Sequence, residues 1–206
     1  MSSLLDIVQV GEPVLRQRAR PLAPADLQRA DLRRLIDDMQ ATMRAAPGVG
    51  LAAPQVGHGL QLVVIEDPPA LQAKLTPAQL AERQRRPVDF HVLVNPTLTR
   101  LGAGDGGGDA EVFEAFEGCL SLKGFVMGVT RALRVRVEAL DQHGAQVVLE
   151  ASGWYARILQ HEVDHLHGVL CCDRMDPRTL TTVAQHERLW KQSSPAEMRR
   201  ALDSAP

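Results

Sequence analysis

From Ser152 to Gly168 the chain reads SGWYARILQHEVDHLHG. Ser152 is placed to cap a helix running from Gly153 to His167, Gly168 is placed to stop it, and Trp154, Ile158, His161 and His165 fall along one side. Within it, His161-Glu162-Val163-Asp164-His165 is H-E-x-x-H. Side chains four apart stand one turn apart on a helix, so two imidazoles can grip one ion while Glu162 lies beside it without ligating. The competing reading is a solvated helix rich in His and Glu, and the position of the motif late in a capped, apolar-faced helix weighs against it.

A catalytic ion usually has three protein ligands and one open position, so a third donor must come from elsewhere. Leu166-His167-Gly168-Val169-Leu170 follow His165, so the extension H-E-x-x-H-x-x-G-x-x-H is missing. A later glutamate would have to be Glu187 or Glu197, and nothing singles out either. Cys119 is a different candidate: it lies in Glu117-Gly118-Cys119-Leu120-Ser121, after a strand-like stretch over 111–116, where glycine lets backbone approach an ion. A lone cysteine is more often buried and inert. The adjacent Cys171 and Cys172 diverge too much to chelate together and read as core or surface thiols.

Immediately upstream of the helix, Leu133, Val135, Val137 and Ala139 alternate with Arg134, Arg136 and Glu138. Asp141-Gln142-His143-Gly144 then turns the chain into a second strand over Gln146 to Ala151, a β-hairpin feeding the metal helix. Farther out, Leu32, Leu35, Ile36, Met39 and Met43 mark an amphipathic helix from Asp26 to Arg44, with Asp26 placed to cap it. Leu60 to Ile65 and Phe90 to Leu101 read as strands, separated by an insertion carrying a short exposed helix over Thr76 to Arg86. Gly102 to Asp109 lacks the context of a phosphate cradle and reads as a flexible hairpin loop. From about residue 180 a helical tail follows, broken at Ser193-Ser194-Pro195.

The 206 residues, 45% hydrophobic and 23% charged, fit one catalytic domain over 1–206. With a net charge of -2 and scattered basic residues, neither direct nucleic-acid binding nor an anionic membrane is favoured. No apolar run approaches the roughly 20 residues of a membrane span, and Met1 to Leu5 lacks the charged start of a signal peptide, so a cytoplasmic protein is expected. An odd count of three cysteines argues for reduced thiols over a disulfide framework.

Three segments, in order and separation, resemble the peptide deformylase family: Gly48-Val49-Gly50-Leu51-Ala52-Ala53-Pro54-Gln55, then Glu117-Gly118-Cys119-Leu120-Ser121, then Gln160-His161-Glu162-Val163-Asp164-His165. The similarity extends over most of residues 5 to 180, and Ala151 to Asp176 is similar to the mitochondrial-type branch and its bacterial relatives. The resemblance implies an α+β fold in which antiparallel β-sheets surround the helix carrying H-E-x-x-H. It implies Cys119, His161 and His165 as ligands of one divalent metal ion, Fe2+ in cells and often Zn2+, Ni2+ or Co2+ in preparations. Glu162 is the implied acid and base, with the Gln55 side-chain amide and the Leu120 backbone N–H as donors to the formyl oxygen. Val49, Gly50, Leu51, Gly118 and Phe125 are implied around the substrate, together with the stretch from Ile158 to His161. That substrate is the N-formyl-methionyl end of nascent peptides, met near the ribosomal exit tunnel.

One departure is visible, because many members continue the cysteine motif with proline and this chain has Ser121-Leu122-Lys123-Gly124-Phe125. A thiolate ligand suits Fe2+ and leaves the site open to oxidation. Gln160 is expected to support the helix, and Asp164 to meet a basic neighbour or simply water. His58, His91, His143, His167 and His186 are expected at the surface or in turns. Two other functions use the same residues: a zinc endopeptidase with a carboxylate as third ligand, and a structural zinc module without turnover, against which Glu162 stands.

Overall fold

The computed structural model describes residues 3–73, 75–102 and 110–204. In chain order these form α1 (Ala30–Ala45), β1 (Gly50–Ala52), β2 (Leu62–Asp67), α2 (Pro69–Gln72), α3 (Pro77–Glu82), β3 (Val88–Arg100), β4 (Val112–Gly118) and β5 (Phe125–Ala132). Then come β6 (Arg134–Leu140), β7 (Gln146–Ser152), α4 (Gly153–Leu166), β8 (Thr181–Thr182), α5 (Val183–Gln185) and α6 (Pro195–Asp203). Apart from Gly102, the expected loop over 102–109 lies outside the described residues. No helix among the described residues is long and apolar enough to cross a membrane.

Every strand pair is antiparallel, in a five-stranded sheet of order β1-β2-β3-β6-β7 and a three-stranded sheet of order β4-β5-β8. The expected hairpin is β6–β7, in register from Arg134 opposite Ser152 to Leu140 opposite Gln146. It delivers the chain into α4, which packs on β1, β2, β3, β6 and β7 of one sheet and on β5 of the other. The α+β arrangement around the motif helix is thus as expected. Behind β1 and β2, α1 buries Leu32, Leu35, Ile36, Met39 and Met43 in one apolar cluster.

Two caps differ from the sequence reading. Asp26 belongs to a separate short turn, where its carboxylate accepts from the Ala23 N–H at 2.9 Å, and α1 starts later, at Ala30. Ser152 occupies the N-cap position of α4 but its side chain makes no capping bond. The first N–H groups of that helix are satisfied by carbonyls from elsewhere in the fold: Gly153 donates to Leu133 and Trp154 to Arg83, both at 2.9 Å. The Arg83 carbonyl belongs to the insertion, whose short helix lies at Pro77–Glu82 with Thr76 and Gln79 forming a capping box. A buried pair between Arg85 and Asp67, two contacts of 2.8 Å, pins this segment to the end of β2.

Candidate metal centre

Apart from Trp154 and Tyr155, every residue of α4 is buried, and six of the buried side chains are polar or charged: Arg157, Gln160, His161, Glu162, Asp164 and His165. Polar groups withdrawn from water need partners, so their partners trace the site. Gln160 clamps the end of β5, accepting from the Ala132 N–H at 3.0 Å and donating to the Ala132 carbonyl at 2.9 Å. Asp164 is not solvated: it is held by Arg131 and, at 2.6 and 2.7 Å, by Arg174.

Glu117, near the end of β4, accepts from Arg131 at 2.6 and 3.2 Å, from Arg157 at 2.8 Å and from His161 Nδ1 at 2.5 Å. Burial alone would raise the Glu117 carboxyl, yet His161 and Arg131 hold it well below the usual carboxylate range. An ionised carboxylate only accepts, so the proton of His161 sits on Nδ1 and the Nε2 lone pair is left free to ligate. Burial likewise draws the His161 imidazole down, but Glu117 and Cys119 outweigh it and push it well above its usual value. The pocket's field therefore favours a cation at that point.

That lone pair meets two further donors. His161 Nε2 lies 3.3 Å from His165 Nε2, which lies 3.4 Å from Cys119 Sγ, and the three donor atoms all fall within 4.8 Å of one another. For a tetrahedral ion at ordinary bond lengths, two imidazole nitrogens should stand about 3.3 Å apart, and nitrogen and sulfur about 3.5 Å. The trio fits an ion of this kind, and one thiolate with two imidazoles suits iron(II) or zinc better than a hard cation. Hydrogen bonding from Cys171, and then from the two imidazoles, holds the Cys119 thiol well below its usual range against the effect of burial.

Four buried side-chain atoms of α4 take no hydrogen bond among the described residues: Trp154 Nε1 and Arg157 Nε, and, within the motif, Glu162 Oε2 and His165 Nδ1. Burial pushes the Glu162 carboxyl up. Its carboxylate lies against Gly50, where a Cβ would stand only 2.8 Å from Glu162 Cγ, so glycine alone lets β1 come this close. Gln55 closes another side, its Oε1 accepting from the Ala52 N–H at 2.9 Å and its Nε2 turned to Ser121 Oγ at 3.3 Å and Cys119 Sγ at 3.6 Å.

A cavity of about 780 Å³ opens onto Cys119, His161 and Glu162. Val49, Gly50, Gly118 and Phe125 line it, with Gln55, Leu120 and Ile158. Leu51 does not: it is fully buried in the cluster of Leu35 and Met39, because alternation along β1 turns it from the face that Gly50 presents to α4. Glu187, paired with Lys191, and Glu197, which caps α6, lie in the tail and join no ligand group among the described residues. Nor do the five other histidines; His91, in β3, meets the Tyr155 hydroxyl at 2.9 Å. Sequence reasoning missed Glu117, Arg131, Arg157 and Arg174 as the scaffold of the centre. The available signal was charge placed inside otherwise apolar strands and inside the helix itself.

Residues 4–181 match the family model described as polypeptide deformylase. The chain belongs to the peptide deformylase family. It is 45% identical over 201 residues to peptide deformylase 3 of Streptomyces avermitilis, spanning 98% of this chain and 84% of that one. It is 44% identical to the mitochondrial peptide deformylase of Homo sapiens over 177 residues, 86% of this chain and 70% of that one. Among solved structures, the class I type b peptide deformylase of Acinetobacter baumannii with Met-Ala-Ser bound superposes with a TM-score of 0.72 at 33% identity, covering 85% of this chain and all of that one. Peptide deformylases are metal-dependent hydrolases that remove the N-formyl group from nascent peptides, and this chain is an enzyme of that kind.

Proposed function

We propose that deformylation takes place at the ion held by Cys119, His161 and His165, with Glu162 as acid and base and Gln55 and Leu120 as oxyanion donors. One observation carries the reading: Glu162 Oε2 is buried at the cavity, next in sequence to His161, with no partner among the described residues. A buried carboxylate oxygen left unpaired costs stability, and a reacting proton gives it a purpose.

A divalent ion at these donors would bring the pKa of water down to about 7 and polarise the formyl group. Glu162 takes the proton of the attacking water and delivers it to the methionine nitrogen as the C–N bond breaks. Gln55 is held by its bond to Ala52 with the amide NH2 toward the centre, so it can donate to the formyl oxygen as negative charge grows there; Leu120 offers its backbone N–H. One such donor is typically worth roughly 3 kcal/mol. The methionine side chain rests against Val49, Phe125 and Ile158. β1 and β4 are edge strands of their sheets, so an extended peptide can pair with them beside Gly50 and Gly118 whatever its later sequence. Leu51 contributes backbone there and no side-chain wall.

The thiolate donor favours Fe2+ as the ion in cells, with Zn2+, Ni2+ or Co2+ able to replace it. The whole chain acts as one catalytic domain, in the cytoplasm, on chains emerging from the ribosome. The test is anaerobic purification, metal analysis and formate release from a formyl-methionyl peptide, comparing the parent with Glu162→Ala. About one iron per chain in both, with turnover down about 100-fold or more in the variant, is the expected result. Unimpaired turnover by Glu162→Ala, or cleavage at internal peptide bonds, would overturn the reading.

A further inference from the structure

Asp38 and Thr42 are buried polar residues on the otherwise apolar side of α1, and both hold the same stretch of chain. The Ser3 N–H donates to Asp38 Oδ1 at 2.6 Å and the Leu5 N–H to Thr42 Oγ1 at 2.9 Å. The chain then crosses from α1 to the metal centre. There the Val8 N–H donates to the Gln55 carbonyl at 2.9 Å and the Val10 N–H to the Ser121 carbonyl at 2.8 Å. Gln9, between them, lines the cavity and spends its side-chain amide on the loop that follows β4. Its Nε2 donates to the Leu120 carbonyl at 3.0 Å, and its Oε1 accepts from the Lys123 backbone N–H at 3.2 Å. The same Nε2 also donates to the Ile7 carbonyl at 3.1 Å, which orients the amide.

These ties converge on the two groups assigned above as oxyanion donors. Gln55 follows β1 of the five-stranded sheet and Leu120 follows β4 of the three-stranded one, so no single sheet sets their separation. In the loop after β4, the Cys119 carbonyl accepts from the Leu122 N–H at 3.0 Å, and residues 9 and 10 take the next two carbonyls. Three successive carbonyls are thus bound, while the Leu120 N–H takes no acceptor among the described residues. Because each peptide group is planar, binding the carbonyls on both sides of Leu120 fixes the direction in which its N–H points.

We propose that residues 3–10 form a positioning strap for deformylation, and that Gln9 is the residue that sets the Leu120 N–H against the Gln55 amide. The proposal rests on the reading of those two groups as oxyanion donors. Such donors act only when aimed at the place where charge develops, and misplacement by about 1 Å can cost about 100-fold in rate. Gln9 holds the loop through a single side-chain amide, so its loss should cost less than the loss of a donor outright.

The test measures kcat and KM for formate release from formyl-Met-Ala-Ser, together with bound metal and melting temperature, on the metal-loaded full chain. Gln9→Met keeps the length of the side chain and none of its bonds. Gln9→Glu keeps the acceptor for the Lys123 N–H and loses the donor to Leu120. Both should keep their ion and lose about 3- to 10-fold in kcat. With KM within about twofold of the parent, kcat and kcat/KM then fall together, the mark of an interaction made only in the transition state. Gln55→Glu, which keeps the acceptor for the Ala52 N–H and loses its own donor, should fall about 100-fold or more. A raised KM with kcat unchanged makes Gln9 a cavity wall only, and ion loss in step with the rate makes the strap a brace for Cys119; either overturns the proposal. So does a Gln9→Glu as fast as the parent beside a slow Gln9→Met. Full kcat in both Gln9 variants beside a slow Gln55→Glu overturns the strap and leaves the oxyanion reading standing, whereas full kcat in Gln55→Glu removes that reading and the strap with it.

Discussion

Glu117 does for the centre what the ligands cannot do for themselves. It fixes the proton on His161 Nδ1 while Arg131 and Arg157 neutralise it, so the imidazole is held in one tautomer and one orientation. Glu117→Gln keeps the shape but removes the charge, leaving two buried guanidiniums underpaired and the ring free to donate from either nitrogen. Ion affinity, measured by competition with a chromophoric chelator, should fall about 10- to 100-fold. Stability should fall with it, by up to about 3–5 kcal/mol if the arginines find no substitute partner. Unchanged affinity in a folded variant would show that Glu117 braces the arginines and not the ligand. At this scale the sequence was uneven. His161, Glu162 and His165 were legible because helical spacing is a local rule, and Cys119 became legible through its glycine-containing segment. The carboxylate and guanidinium groups behind them were not, since Arg131 meets Glu117 and Asp164 across 14 and 33 residues, and no periodicity encodes such pairings.

The helix that carries the motif depends on how its first turn is received. Gly153 has φ of +59°, and a Cβ there would stand 2.5 Å from Gln84 Cβ and 2.6 Å from the Arg83 carbonyl oxygen. Gly153→Ala therefore meets two costs together, a left-handed backbone disfavoured for an L residue and displacement of the insertion that caps Trp154. A loss of about 2–4 kcal/mol follows, and thermal unfolding should begin about 4–16 °C lower in a chain of this size. A melting temperature equal to the parent's would mean that the insertion yields freely and does not hold α4. The elements themselves were readable: the 3.6 period of α1 and the alternation of β6 and β7 each record which face meets the core. The cap residues misled because side-chain chemistry alone does not fix the partner. Asp26 and Ser152 have the right chemistry, but an N–H donates to whichever acceptor reaches it: the Asp26 carboxylate is taken by the Ala23 N–H of its own turn, and at α4 tertiary carbonyls reach the helix start first.

The largest pattern, the partition of strands into two sheets, was hidden from local reading because β3 passes over β4 and β5 to pair with β6. That partition matters for the ion. Cys119 follows the edge strand of the three-stranded sheet, while His161 and His165 ride on a helix packed mainly on the five-stranded one. Cys119 and His165 are 46 residues apart in the chain, so an unfolded chain does not hold the three donors together, and an ion that binds them binds the folded state preferentially. Linkage then fixes the sign and size of the effect: free ion at about 1,000 times its dissociation constant adds about 4.1 kcal/mol of stability. For a chain of this length each kcal/mol moves the melting temperature about 2–4 °C, so stripping the ion should lower it by about 8–16 °C. Calorimetric melts of chelated protein, with zinc then restored in steps buffered to known free concentrations, should show a melting temperature climbing with the logarithm of free ion. Cys119→Ala should flatten that climb. If the ion is taken up stoichiometrically by the parent and the melting temperature does not move, the donors are not preassembled by the fold, and the two sheets are not what holds the centre together.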